Sequence, residues 1–536
     1  MRGILSICIA LLLLADVKAE VSPAVSALEA QSTVIGDIVL DKSDVFDLTD
    51  PKENNALYRL ANRLHIITKD KVIRKQLLFQ SGATYSAREI RETERILRQN
   101  RYLYDAQIKA IPRDDGIIDL TISTRDVWSL GPDLSASRSG GENRTQIGLE
   151  ETNLLGSGQT VRFNHEKDVD RTSKSFEFYD RHLGNSWVSS FLRIADNSDG
   201  KSNILSITRP FYALDTRWSA GGLALDDDRR SALYFEGEEA AEYQHARRNF
   251  SVFAGWSKGL HNGRAKRWTV GITHDDNRFS TVSDATLPPL LPDDRELVYA
   301  FASIEIVEDE FATAKNRDQI GRTEDFMMGL NVSATLGWSD ESLGADRDAL
   351  IYRGKISRGF GSLDKNALLV SALVNGRLES GHAKNSKISM NANYYRTQSS
   401  KWLFFATMST TLGHELDLDN PVQIGGDSGL RGYPLRYQNG DSKLLMSIEQ
   451  RYFTDWYPFR LARIGGAVFA DAGRVWGQNP LGNENRGWLT DVGFGLRIAP
   501  TRSSSGKMVH IDIAFPLNGD DTIDSVQFLL EAKRGF

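Results

Sequence analysis

The chain has 536 residues, 25% of them charged and 40% hydrophobic, and a mean hydropathy of -0.37. After Glu20 no window holds the roughly 18 apolar residues of a membrane-spanning helix, which excludes a helical membrane protein, and a net charge of -6 does not suit a nucleic-acid binder. The 45 glycines, 14 prolines and many aromatics (10 Trp, 16 Tyr, 24 Phe) among short alternating segments point to a mainly β protein, and a transmembrane β-barrel has soluble-looking hydropathy because only every second strand residue meets lipid.

At the start, Arg2, the apolar run 4–14 and the small-residue site Val17-Lys18-Ala19 have the form of a secretory signal peptide over residues 1–19. The single cysteine, Cys8, falls inside it. The chain beyond therefore offers no thiol for a disulfide, a metal or a nucleophile. Residues 20–34 are small and polar and read as a flexible tether.

Residues 35–126 mix strand and helix. A strand over 35–40 is followed by a helix within 52–67, its stripe formed by Leu57, Leu60, Ala61 and Leu64. Val72, Ile73, Gln76, Leu77 and Phe79 mark a second helix, closed at Ser81-Gly82. A third begins at Ser86, whose hydroxyl can cap it three residues before Glu89, and it buries Ile90, Ile96 and Leu97. Segments 102–111 and 117–123 alternate around the turn 113–116 and form a hairpin. The order is β-α-α-β-β, with an extra helix inserted after the first strand.

From residue 127 to 536 only strands remain. Trp268, Val270 and Ile272 alternate with small or polar residues, as do Val492, Phe494, Leu496 and Ile498, and Val509, Ile511, Ile513 and Phe515. One apolar and one wet face per strand fits the wall of an outer-membrane barrel. Polar stretches 226–231, 287–295 and 308–323 are expected as long connectors on one side. The last strand carries Val526, Phe528, Leu530, Ala532 and the terminal Phe536 on one face, with Arg534 as the exception. Such a C-terminal aromatic resembles the signal read by the machinery that inserts outer-membrane proteins.

Three motifs carry a family resemblance. The segment Gly425-Gly426-Asp427-Ser428-Gly429-Leu430-Arg431-Gly432-Tyr433 resembles the [VL]RG[FY] loop of the BamA/TamA superfamily of outer-membrane assembly and secretion barrels. Phe469-Ala470-Asp471-Ala472-Gly473-Arg474-Val475 resembles its FxDxGxV strand, and Asn153-Leu154-Leu155-Gly156-Ser157-Gly158 its NxxGxG hairpin. Segment 491–497 resembles the strand that follows. The 35–126 module resembles a POTRA domain, here single and with one helix more than the family pattern, which makes the chain a poor candidate for the central insertase.

The resemblance implies a fold: a transmembrane antiparallel β-barrel of about sixteen strands, preceded by one small α+β domain. Alternation gives some fifteen strand candidates before the loop where a sixteen-strand barrel expects eleven; either several are loop hairpins or the barrel is larger. It also implies that Arg431 tucks into the lumen. On strand 444–453, Leu444, Met446 and Ile448 face lipid, sending Ser447, Glu449 and Arg451 inward. On 464–473, Ile464, Val468, Ala470 and Ala472 face outward, sending Asp471 inward. Glu449 and Asp471 are thus the expected partners of Arg431, in a loop where Gly425, Gly426, Leu430, Gly432 and Tyr433 pack closely. Phe528 and Phe536 are the expected insertion terminus.

The function implied is insertion of proteins into the outer membrane or their movement across it. The N-terminal domain would lie in the periplasm, the partners being membrane lipid, unfolded outer-membrane or secreted substrates and the insertion machinery, without nucleic acid or cofactor. The seam would join residues 128–138 to 526–536, with Ser135 or Ala136 within crosslinking reach of Leu529. A passive pore or surface antigen is the second reading, and a role in lipid or surface-polymer export a third. Catalysis finds little support: Gly426-Asp427-Ser428-Gly429 echoes the turn around a serine nucleophile, but the nine histidines are scattered without a partner motif.

Overall fold

A computed structural model of the protein describes residues 33–282, 290–478, 481–482, 486–521, 523–533 and 535. The signal-peptide segment, most of the tether, Arg534 and Phe536 lie outside the described residues.

The N-terminal part forms β1 (Val34–Ser43), α1 (Ala56–Leu64), α2 (Asp70–Arg74), α3 (Ala87–Arg98), β2 (Leu103–Pro112) and β3 (Ile117–Asp126). Its sheet has the order β1-β3-β2, with β1 parallel and β2 antiparallel to β3. Alternation on β3 drives Ile118, Leu120 and Ile122 into a core shared with Ile35, Val72, Ile73 and Leu97. Ser86 Oγ accepts the Glu89 amide at 3.3 Å, capping α3, and Ile90, Ile96 and Leu97 are buried.

Two helices differ from expectation. α2 stops after five residues, and beyond it the buried Gln76 spends its side-chain amide on Val72 O, 2.8 Å away, and on the Tyr102 hydroxyl. α1 turns a different face inward, and of the expected stripe Ala61 alone packs on the protein. Tyr58 is buried, stacked on Phe46 at 4.0 Å in a small cluster with Val45, while Leu57, Leu60 and Leu64 are 67%, 49% and 64% exposed. The segment between β1 and α1 supplies that cluster, so the leucine stripe is left outside.

Residues 130–533 form a closed antiparallel barrel of twenty strands, from Leu130–Ser139 to Gln527–Lys533. The number sixteen is corrected by this count. Fifteen strands precede the loop at 415–441 and five follow, which matches the number of candidates counted in the sequence and decides for the larger barrel. The end beside the N-terminal unit is called the near end below.

Residues 226–231 are not a connector; they lie within Trp218–Phe235, one wall strand of 18 residues. Their carboxylates are neutralised, Asp226 across the sheet by Lys201 at 3.3 Å and Asp227 along its own strand by Arg229 at 3.2 Å, which lets the acidic run stay extended. Asp275 and Asp276 likewise sit in Arg264–Ser280, paired with Arg247 and Arg278. Residues 290–295 and 308–323 lie at opposite ends of the barrel and not on one side, because they flank one strand, Arg295–Glu308; residues 287–289 lie outside the described residues.

The outer face is apolar. Val252, Val270 and Ile272 are 42%, 43% and 56% exposed, and Trp218, Trp256 and Trp268 stand side by side on three adjacent strands toward the near end. This is the lipid-facing belt of a membrane barrel with an interfacial aromatic row. Ile464 departs from its expected lipid exposure. It is 7% exposed, at the near-end turn where its carbonyl takes the Thr454 amide and hydroxyl.

Candidate functional site

The loop 415–441 leaves the far end between Trp402–His414 and Ser442–Phe453 and folds into the lumen. A short ladder, Val422–Ile424 with Gln438–Gly440, narrows its base. Leu430, Tyr433 and Tyr437 are fully buried with Val475 and Leu489 of the wall. Ser428 Oγ accepts the Gly425 amide at 2.8 Å, so this hydroxyl closes the turn rather than facing a histidine.

Arg431, 7% exposed, lies at the centre. Its Nε and Nη2 donate to Asp471 Oδ2 and Oδ1 at 2.7 and 2.8 Å, a bidentate fork, and Nη1 donates to Glu449 Oε1 at 2.9 Å. Nη2 also reaches Ser447 Oγ at 3.1 Å, and the guanidinium lies 3.4 Å from the Phe469 ring centre. The neighbouring Gly432 donates its amide to Asp491 Oδ2 at 3.0 Å, and a Cβ there would stand 2.7 Å from Asp491 Cβ. Only glycine allows that approach.

Three further charged residues belong to this cluster that the sequence reading did not assign to it: Asp491, Asp512 and Arg497. Arg497 pairs with Asp512, which lies 4.0 Å from Arg431 Nη1. All three occupy the wet face of strands already read as alternating, and that was the available signal. Arg451, expected inward, bonds Glu449 Oε2 at 2.8 Å.

The loop touches both flanks of the seam. On one side the Leu435 amide reaches Gly140 O, in the turn after the first strand, at 3.3 Å. On the other, the Tyr433 hydroxyl sits 2.8 Å from Asn518 O and that of Tyr437 2.7 Å from Asp520 Oδ2, both in the connector before the last strand. Between these flanks the first and last strands share one ladder pair among the described residues, Leu530 with Arg138. The last strand makes seven pairs with its other neighbour and the first makes ten with its own. This register puts Leu529 opposite Ser139, not near Ser135 or Ala136. Phe528 is 48% exposed on the outer face of the last strand.

At the near end, the turn containing Asn153 and Gly158 is stapled to the N-terminal unit. Asn153 Oδ1 accepts the Gly158 amide at 2.7 Å, and its Nδ2 donates to Thr68 Oγ1 at 2.9 Å. Thr68 in turn bonds Asp126 through both amide and hydroxyl at 2.8 Å, and burial pushes the Asp126 carboxyl above its ordinary range.

A second inward segment, residues 309–330, enters from the near end, and sequence reading gave it only as a polar connector. Ile320 is 4% exposed in a cluster with Tyr395, Leu403, Phe405, Phe453 and Met508 of the wall. Glu324 accepts three backbone amides, from Arg317, Asp318 and Gln319, at 2.9, 2.8 and 3.1 Å; burial outweighs them and pushes its pKa up to about 7. Arg98 of α3 clamps the segment through Asp325 at 2.8 and 2.6 Å. From within the lumen, Arg451 Nη1 donates to Arg317 O at 2.7 Å.

Residues 366–530, the last strands and the lumen loop, match the Omp85 superfamily domain. Among solved structures the chain is similar to BamA from Haemophilus ducreyi lacking POTRA domains 1-3 (14% identity, TM-score 0.40, 92% of this chain and 84% of that one). It is also similar to CdiB from Acinetobacter baumannii (13%, TM-score 0.46, 93% and 74%) and to CdiB from Escherichia coli (12%, TM-score 0.47, 93% and 76%). No curated protein matches it in sequence.

Proposed function

We propose, from the Omp85 superfamily domain that this chain carries, that it inserts proteins into the outer membrane or moves them across it, with the N-terminal unit acting as a POTRA-like domain in the periplasm. The observation that carries this reading is the seam. Within a wall otherwise zipped by continuous ladders, two strands meet through a single pair among the described residues. Backbone groups unpaired in lipid must find partners, so an incoming client strand gains there what the seam itself lacks.

The rest of the chain serves that step. β1 and β2 are the sheet edges of the N-terminal unit and can receive an extended segment through backbone hydrogen bonds that ignore sequence. The lumen loop, held by Arg431, touches both flanks and sets how far they separate. The process uses strand exchange and needs no cofactor. A passive pore is the weaker reading, because the loop and the 309–330 segment occupy the lumen from opposite ends.

The test is a reversible lock. Ser139→Cys with Leu529→Cys, opposed across the seam, should crosslink on oxidation and abolish assembly of a client barrel by the protein in lipid vesicles; reduction should restore it. Undiminished assembly by the fully crosslinked protein refutes seam opening.

A further inference from the structure

We infer that α1, the helix added between β1 and the rest of the N-terminal unit, is an interfacial helix that lays its leucine face into the bilayer beside the seam. This rests on the barrel wall facing lipid, and not on the insertion activity proposed above.

Three observations converge. At 100° per residue, Leu57, Leu60 and Leu64 fall on one face of α1 and Tyr58, Asn62 and His65 on another. The second face is the one packed on the protein. All three leucines are about half or more exposed, and so is Ile66 just beyond them. An isolated exposed leucine needs no explanation, but three on one face of a nine-residue helix mark an interaction surface.

The leucine face also continues the lipid-facing wall. Leu64 and Ile66 line one surface cleft of about 370 Å³ together with Leu130, Leu149, Leu155 and Phe163. Leu130, Leu149 and Phe163 belong to the outer faces of the first three wall strands and are 45%, 52% and 56% exposed. His65, Ser129, Glu151 and Asn153 also line this cleft, but its apolar side chains run from the helix onto the belt, so a bilayer wetting that belt reaches the helix.

The remaining groups suit the same placement. Tyr58 donates its hydroxyl to Phe459 O, in the turn between wall strands Ser442–Phe453 and Ala462–Trp476. In that turn Trp456 and Phe459 are 64% and 80% exposed, which adds an aromatic pair at the same level. Arg59 and Arg63, one turn apart, fall on a third face next to the leucines, where basic side chains meet lipid phosphates. A soluble client would leave the continuity with the wall unexplained; the bilayer accounts for it directly.

The experiment is a depth measurement on the full chain. With Cys8 replaced, single cysteines introduced as Leu60→Cys and, at the distant hairpin turn, Asp114→Cys carry an environment-sensitive fluorophore. The protein is folded into vesicles of phosphatidylethanolamine and phosphatidylglycerol, and heat-modifiable electrophoretic mobility verifies the barrel. The label at 60 should be quenched by doxyl-phospholipid and shielded from iodide present on both sides, whereas the label at 114 should show the reverse. Adding Leu57→Gln and Leu64→Gln to the Leu60→Cys chain should restore iodide access without altering the barrel. A label at 60 as open to iodide as that at 114, with doxyl lipid silent, overturns the inference. So does shielding that appears only when an unfolded client barrel is added, which would make the face a client-binding one.

Discussion

Removing Arg431 takes away the only ion-pair partner of Asp471 among the described residues and one of two partners of Glu449. Asp471 is 2% exposed and Glu449 7%, so neither carboxylate can be rescued by water. Breaking a buried pair from one side costs about 3–5 kcal/mol, because a charge is left uncompensated. Arg431→Ala should fall in that range. Asp471→Ala should cost less, toward about 3 kcal/mol, since the guanidinium keeps Glu449 and the Phe469 face. The double variant removes both charges of the fork and should lose little more than Arg431→Ala alone, giving a coupling near the upper limit of about 3 kcal/mol for residues in contact. Hydrogen exchange over residues 422–438 of the protein in lipid vesicles measures this locally: about 3 kcal/mol appears as exchange faster by roughly two orders of magnitude. Arg431→Lys tests the fork itself, since an ammonium cannot bond both carboxylate oxygens in the same plane. Strictly additive effects in the cycle, or a loop whose exchange is unchanged in Arg431→Ala, would refute the argument that this pair holds the loop in the lumen.

The 309–330 segment should also respond to single changes. Arg98→Ala or Asp325→Ala removes a charged two-point clamp and should loosen the segment by about 1.5–3 kcal/mol, raising ion conductance in planar bilayers; conductance equal to the unmodified protein would show that the clamp does not hold it. The same segment should be pH-sensitive through Glu324. Its carboxyl titrates near 4.5 when exposed and at about 7 when docked, so the docked state is favoured in full below 4.5 and loses that advantage as pH rises through 7. Hydrogen exchange at residues 315–324 should therefore be slower at pH 5 than at pH 8, after correction for the intrinsic rate, and Glu324→Gln should remove the difference.

Much of this arrangement was legible in the sequence because the β-strand period is strict. Once Leu444, Met446 and Ile448 are placed outward, Glu449 has no choice but the lumen, and Asp471 follows from the strand beside it. Period alone also gave fifteen strands before the loop. What it could not give was which polar stretches remain in register. Residues 226–231 look like a connector, yet cross-strand cations let them continue the wall. Helix faces were less legible. A leucine stripe ordinarily marks the buried face of a helix, but α1 buries Tyr58 because Val45 and Phe46 reach it first, which periodicity within the helix cannot reveal. The inward path of 309–330 was invisible for the same reason. Ile320 and Glu324 are unremarkable until the fold puts Tyr395 and Phe405 around one and three backbone amides around the other.

Wall side chains link the two inward segments, and that link joins the N-terminal unit to the seam through defined partners. Arg98 on α3 holds Asp325; the segment behind it presents Arg317 O to Arg451; Arg451 shares Glu449 with Arg431; and the loop carrying Arg431 contacts Gly140 on one flank and Asn518 on the other. Arg451 is 1% exposed, so this link cannot be bypassed by solvent. Contiguity alone does not establish coupling, which requires an element with two arrangements that both ends bias. The seam is the natural candidate for that element, with its sparse pairing and its two flanks held by one loop. If capture of a client at a sheet edge of the N-terminal unit shifts α3, the clamp on Asp325 is the first contact strained, and the strain is passed on by charged contacts that break at discrete cost rather than by a compliant core. On the function proposed above, a barrel arranged in this way would stay closed while its N-terminal unit is empty, and client binding would supply the energy that loosens it.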